Sequence, residues 1–242
     1  MKKTDIQDCI NKYYLGGNCE SVVWKIKDNY ANVHFTSETK DTVGFIKFNL
    51  ELSDSELPIS FTTSLLKLLA ITDDDIVLDV VTHETGLPTK LKISDNKFDL
   101  SYHLGELDTI EKVPSVNEVD YDFGFEINSD FITNFIKAHS ALEKTPQFTL
   151  NTNVTPQGEN VVEIVIGERT PHANKVKFTE IVNIKNPCNE LLPFSANILK
   201  EILAANRGCT GQMDVSTKGL ARIKFIDADN NWEVEYFMVR QQ

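Results

Sequence analysis

Apolar and polar positions along the chain follow two periods, and the helical one recurs. An apolar anchor is followed by a capping residue, two variable positions, an apolar pair, two mixed positions and a second apolar pair. The pattern reads Phe61-Thr62-Thr63-Ser64-Leu65-Leu66-Lys67-Leu68-Leu69-Ala70, then Ile127-Asn128-Ser129-Asp130-Phe131-Ile132-Thr133-Asn134-Phe135-Ile136, then Phe194-Ser195-Ala196-Asn197-Ile198-Leu199-Lys200-Glu201-Ile202-Leu203. The anchors are 66 and 67 residues apart, a spacing even enough to indicate internal duplication. Each copy predicts a short helix whose apolar pairs, four residues apart, make one buried stripe. Thr62, Asn128 and Ser195 stand where an N-cap side chain accepts an orphan amide hydrogen. Helices this short are marginal alone and must pack on something.

Strand patterns follow each helix. After the first come 76–81, 89–94 and 97–104, the last with strict alternation at Phe98, Leu100, Tyr102 and Leu104. After the second come 147–151, 161–166 and 175–182, and after the third 211–215, 220–225 and 232–239. Turn residues such as Asp95-Asn96 and Asp229-Asn230-Asn231 join them, which predicts antiparallel meanders. A fourth copy is expected at the N-terminus, with a helix over Thr4–Tyr14 and strands over 21–27, 31–37 and 44–50, although it matches the pattern weakly. Four units pair into two domains, 1–107 and 123–242, joined by an acidic, Pro114-containing connector over 108–122. Helices covering one face of antiparallel sheets give an α+β class.

Composition narrows the function. With 242 residues, 41% of them hydrophobic, the chain can bury a real core. Its apolar runs are far shorter than a membrane span. Its basic start has no apolar stretch behind it, which argues against a secretory signal. Cys9, Cys19, Cys188 and Cys209 are widely spaced, which suits a reducing compartment and argues against a zinc or redox motif. A net charge of -12 argues against simple adhesion to nucleic acid unless positive charge is concentrated on one surface.

No catalytic constellation, cofactor motif or metal site emerges. The histidines at 34, 83, 103, 139 and 172 are scattered, and Gly16-Gly17 reads as a turn. Asp73-Asp74-Asp75 reads as a solvated loop, with a metal-dependent nuclease using Asp73, Asp75 and Asp79 as the enzymatic rival. Asp227-Ala228-Asp229-Asn230-Asn231 begins like a calcium loop but lacks the glycine and the distal glutamate, so a hairpin turn is expected.

In its two-plus-two units, its acidic connector and its closing segment, the chain resembles the DNA polymerase sliding clamps of tailed phages. That segment runs Leu192-Pro193-Phe194-Ser195 through Leu203, then Lys218-Gly219-Leu220-Ala221-Arg222-Ile223-Lys224-Phe225, then Glu235-Tyr236-Phe237-Met238-Val239. The resemblance implies a non-enzymatic processivity factor with the sliding-clamp fold. Three chains would form a homotrimeric ring, with helices lining the hole and sheets outside. Its partners would be encircled double-stranded DNA, a replicative DNA polymerase and an ATP-dependent clamp loader, in the cytoplasm of an infected bacterium. Membrane and cofactor would play no part. Lys12, Lys67, Lys137, Lys144, Lys200 and Arg207 would face DNA, although each reads residue by residue equally well as a solvated helix face. Val119, Tyr121, Phe237 and Met238 would form a groove for partner peptides, with the sheet core as the alternative place for their side chains. Subunits would pair edge strands head to tail through Phe98, Leu100 and Tyr102 on one side and Val176, Phe178 and Val182 on the other. The competing non-enzymatic reading is a phage virion or tail protein.

Overall fold

The computed structural model describes residues 1–117, 119–142, 144–167, 173–227 and 232–241. The chain forms two compact units. The first comprises Met1–Glu38, Gly44–Pro114 and Asp227–Val234, and the second Thr39–Val43, Ser115–Ile226 and Glu235–Gln242. Elements α1 (Lys3–Tyr14), β1 (Val22–Lys27), β2 (Tyr30–Thr36), β3 (Thr42–Asn49), β4 (Ser55–Ile59), α2 (Thr62–Ala70), β5 (Val77–Thr82), β6 (Pro88–Ser94) and β7 (Asp99–His103) come first. They are followed by β8 (Phe123–Ile127), α3 (Ser129–Ala141), β9 (Gln147–Val154), β10 (Asn160–Gly167), β11 (Lys175–Ile181), β12 (Asn183–Ile184), β13 (Leu192–Ser195), α4 (Ala196–Ala205), β14 (Gly211–Ser216), β15 (Leu220–Asp227) and β16 (Trp232–Val239). The predicted hairpin turn at Asp229-Asn230-Asn231 lies outside the described residues.

The repeat is therefore a helix followed by three antiparallel strands, with a short strand ahead of α2, α3 and α4. Sequence patterning missed β4, β8 and β13, and the reason is physical. Each is four or five residues long and buried almost continuously rather than alternately. Two of them also contain proline, Pro58 and Pro193. Both tolerate it because β4 ends the run β3-β2-β1-β4 and β13 ends the sheet β11-β10-β9-β13.

These short strands exchange between repeats. β4 leads into α2 but pairs with β1 of the preceding repeat, Leu57 opposite Trp24. β13 leads into α4 but pairs with β9, Phe194 opposite Phe148. β8 leads into α3 but pairs with β14 of the last repeat, Phe125 opposite Met213. The counterpart ahead of α1 is reduced to one bridge, Lys2 against Asp75.

In each unit the helices bury their apolar stripe against the sheets. In the first, Ile6, Ile10 and Tyr13 of α1 and Leu65 and Leu69 of α2 are almost fully buried, together with Trp24, Phe35 and Phe48. Trp24 meets Phe48 edge-on at 5.9 Å, and its indole N–H donates to the Tyr13 hydroxyl at 3.2 Å. In the second, Phe125, Phe131, Phe135, Phe148 and Phe194 form a chain of rings 5.2–6.1 Å apart. Each such side chain contributes about 1.5–3 kcal/mol by leaving water. Cys9, Cys19 and Cys188 are buried thiols, and burial pushes that of Cys9 up to about 12.

Two expected caps are present: Asn128 accepts from the Phe131 N–H at 2.9 Å and Ser195 from the Ile198 N–H at 3.3 Å. Thr62 is a correction. It is the first residue of α2, and its hydroxyl donates to the Glu20 carbonyl at 2.8 Å. The cap comes from Glu20, whose carboxylate accepts the Thr63 N–H at 3.0 Å and also the Thr63 hydroxyl. A carboxylate at this end also meets the positive pole of the helix.

Candidate nucleic-acid interface

Burying one stripe of α3 leaves Ser129, Thr133 and Lys137 exposed, at i, i+4 and i+8 on one helical face. The turn after α4 brings Arg207 and Gly208 to the same place. Together with Ile132 and Ile136 they line a groove of about 310 Å³. Its floor is apolar, its rim carries two cations and two hydroxyls, and all of it lies within the second unit. At one side, His139 on α3 bonds Asn197 on α4 through Nε2 at 2.8 Å, which ties the two helices together. Such an arrangement suits anionic oxygens that need neutralising without being read for sequence.

The other proposed DNA-facing residues fare differently. Lys67 on α2 and Lys144 beyond α3 are exposed. Lys200 is half-buried and paired with Glu201 at 2.6 Å. Lys12 is a correction: it is 4% exposed, with its ammonium 4.2 Å from the centre of the Trp232 ring. A buried lysine over an indole face supports the core of the first unit by cation–π attraction and presents no charge to a ligand.

On the outer face of the β14–β16 sheet, Arg222 is held by Asp214 at 2.7 Å and lies 3.7 Å from Glu235. Its guanidinium carbon stands 4.7 Å from the centre of the Tyr121 ring. Burial pushes the Tyr121 phenol upward. Phe237, two residues from Glu235, shares that face and is half-buried. Val119 is half-buried. Met238 is a correction: alternation turns it inward, where it is 1% exposed and belongs to the core. Next to Tyr121, Asp122 accepts the Thr217 N–H and hydroxyl, both at 2.7 Å, and the Asn186 amide at 2.8 Å. These bonds hold its carboxyl below the usual range. Sequence reasoning gave neither Arg222 nor Asp122 a role at the site, because Tyr121 is far from Arg222 in the chain and the partners of Asp122, Thr217 and Asn186, lie 95 and 64 residues from it.

Both proposed edge strands lie at sheet borders, β7 in β5-β6-β7 and β11 in β11-β10-β9-β13. Leu100 is half-buried, and Phe98 just before β7 is exposed. Tyr102 is buried, its hydroxyl accepting the Phe61 N–H at 3.0 Å. On β11, Val176 and Phe178 are half-buried, Phe178 packing on Phe131 at 6.0 Å. Val182, just beyond, is buried. The acidic residues of the nuclease reading are otherwise engaged. Asp73 takes Lys97 at 3.1 Å, Asp75 takes Lys2 at 2.8 Å, and Asp79 accepts the Val80 N–H at 2.9 Å. Among the described residues no helix is long and apolar enough to cross a membrane.

Neither a protein-family model nor a curated protein matches the sequence. Solved structures match the whole fold. One, A. fulgidus PCNA bound to the C-terminal region of FEN-1, superposes with a TM-score of 0.73 over 100% of this chain and 97% of that one, at 11% identity. Another, Proliferating Cellular Nuclear Antigen from Entamoeba histolytica, gives 0.74 over the same shares at 12% identity. The fold is that of the sliding clamps. In this clamp fold the groove of Lys137 and Arg207 lies on the helical layer, whereas Tyr121 and Arg222 lie on the sheet layer.

Proposed function

We propose that the chain is one subunit of a DNA sliding clamp. Three copies close head to tail around duplex DNA and tether a replicative polymerase after an ATP-dependent loader opens the ring. The setting is the cytoplasm of a bacterium infected by a tailed phage. The observation that carries this reading is the exposed pairing of Lys137 with Arg207 on the helical layer of a fold matched over its whole length. Lys67 and Lys144 add exposed charge to helix-proximal surfaces. A few weak phosphate contacts of this kind hold DNA of any sequence and still let it slide. The net charge of -12 then belongs mainly to the outside.

Residues 108–122 serve as the connector between two clamp domains, 1–107 and 123–242. One structural neighbour holds the C-terminal region of FEN-1; in this chain the half-buried Tyr121 and Phe237, with Val119 at their rim, are the place for a partner's peptide segment. The function is mechanical, and the chain itself hydrolyses nothing.

The test is topological. Loaded onto nicked circular DNA, the protein stays bound through high salt and is released when the circle is linearised, and it lengthens the products of the cognate polymerase. A protein that co-purifies with virions, remains monomeric and leaves processivity unchanged would instead be a structural component.

A further inference from the structure

We infer that the face of β1, β2 and β3 turned away from the helices binds single-stranded DNA. Lys25, Lys27 and Lys47 hold its phosphates, and the rings of His34 and Phe45 stack its bases. The choice of DNA rests on the clamp reading above; the site itself lies on the sheet layer of the first unit and takes an unpaired strand. Alternation builds the face. Trp24 turns inward to bond Tyr13 of α1, so Lys25, beside it in the chain, turns outward. Lys25 and Lys27 are exposed on β1, His34 on β2 and Lys47 on β3, with Tyr30 and Phe45 half-buried among them. Within the run β3-β2-β1, Lys27 stands opposite Tyr30 and Val23 opposite His34. Between β2 and β3, the His34 and Phe45 rings are 5.9 Å apart with planes 31° from parallel, and the Lys47 ammonium lies 4.6 Å from the centre of the Tyr30 ring.

Charge and ring geometry name the ligand. In a chain of net charge -12, strands β1–β4 carry three lysines and one carboxylate, Glu56, which lies 3.6 Å from Lys25. Both side chains of that pair are more than half exposed, so water screens it and a phosphate displaces Glu56 at little cost. Asp28 and Asp54 lie past the strand ends, where Asp54 accepts the Asp28 N–H at 3.0 Å. Lys47 is laid over the Tyr30 ring by cation–π attraction. Its charge is thus in place before the strand arrives, and less freedom is lost on binding. The rings then select the form of nucleic acid. Bases in a duplex stack on each other, whereas an unpaired base offers its flat face to an aromatic side chain regardless of sequence. From His34 to Tyr30 is about 13 Å along β2, room for the two or three bases that aromatic sheet faces hold in RNA-recognition modules. An acidic peptide would satisfy the lysines but lacks a planar group at each step for the rings. DNA is the polymer because the duplex held by a clamp continues into an unpaired template, which tethering brings to high local concentration.

The test is fluorescence anisotropy of a labelled dT strand of about 15 nucleotides, with circular dichroism to check folding. The full chain carries Lys137→Ala and Arg207→Ala throughout, so that the groove on the helical layer does not contribute. In that background dT binds. Adding Lys25→Ala, Lys27→Ala and Lys47→Ala weakens binding and lowers the slope of log affinity against log salt by about 2. Adding His34→Ala, at an exposed position, weakens it about tenfold. His34→Trp restores it, which a role in folding or charge alone would not produce. An abasic strand of the same length binds far more weakly than dT. The site is refuted if dT fails to bind, if the abasic strand or polyglutamate binds as well as dT, if oligo(U) binds more tightly, or if neither the lysines nor His34 matter. The clamp reading is then untouched, since it stands on retention on nicked circular DNA. If that retention fails while dT still binds through these residues, the site stands without the ring.

Discussion

Asp122 and Thr217 are 95 residues apart in the chain and meet twice, through the Thr217 N–H and hydroxyl, both 2.7 Å from Oδ2 of Asp122. The other carboxylate oxygen takes the Asn186 amide, and the Asp122 carbonyl takes the N–H groups of Lys185 and Asn186. One residue therefore fastens the end of the connector to two separate parts of the second unit. The hydrogen bonds lower its folded pKa, so the stability they contribute is full above the unfolded carboxyl value of about 3.9 and fades as the pH falls through the folded value. Asp122→Ala should cost about 2–4 kcal/mol at pH 7. Urea unfolding of native and variant chains at pH 7 and below pH 3 should show that difference shrinking in acid.

The Glu20 cap gives a second prediction. Glu20→Ala leaves the Thr63 amide and the Thr63 hydroxyl at the start of α2 to water and should destabilise by about 1–2 kcal/mol. Thr62→Ala should cost less, because the Thr62 N–H to Glu20 carbonyl bond at 3.0 Å survives. Equal losses in chemical denaturation would assign the cap to Thr62 instead.

The two kinds of lysine separate on salt dependence. Lys137→Ala with Arg207→Ala should reduce the slope of log affinity for DNA against log salt by about 2, with a stability change under about 0.5 kcal/mol. Lys12→Ala should do the reverse, lowering stability by about 1–2 kcal/mol through the lost Trp232 contact and leaving the slope alone. Fluorescence anisotropy across a salt series, paired with thermal melts, checks both.

Gly124 offers a fourth test. A methyl group there would collide with the Asp214 carboxylate and approach the Met213 carbonyl at 3.1 Å. Since Asp214 holds Arg222 and Arg222 holds Tyr121, Gly124→Ala should cost about 1–3 kcal/mol and loosen the connector. Hydrogen exchange near residues 119–122 should accelerate, and Arg222→Met should reproduce the acceleration without crowding the strand.

Local pattern carried much of the fold. The caps at Asn128 and Ser195, the alternating strands and the three strong helices are all written within ten-residue windows. What escaped depends on partners far along the chain. Thr62 reads as a cap until Glu20, more than forty residues earlier in sequence, supplies the carboxylate. Lys12 reads as a solvated last-turn lysine until Trp232 covers it. Met238 follows the inward alternation of β16 and could have been assigned to the core on that ground. Of the candidate groove, the sequence offered two separate exposed cations, Lys137 on α3 and Arg207 just past α4. Their convergence on one groove was not legible, because it depends on how α3 packs on α4.

The exchanged strands have a consequence for synthesis on the ribosome. When β1, β2 and β3 have emerged, the outer border of β1 is still bare, and it stays so until residues 55–59 follow. The same delay recurs for β9 until 192–195 arrive, and for β8 until 211–215 arrive. A nascent half-unit is thus an unfinished sheet with an open border. A stop codon or protease cut between repeats would leave fragments prone to aggregate, and the two pieces would need to be made together to recover a working subunit.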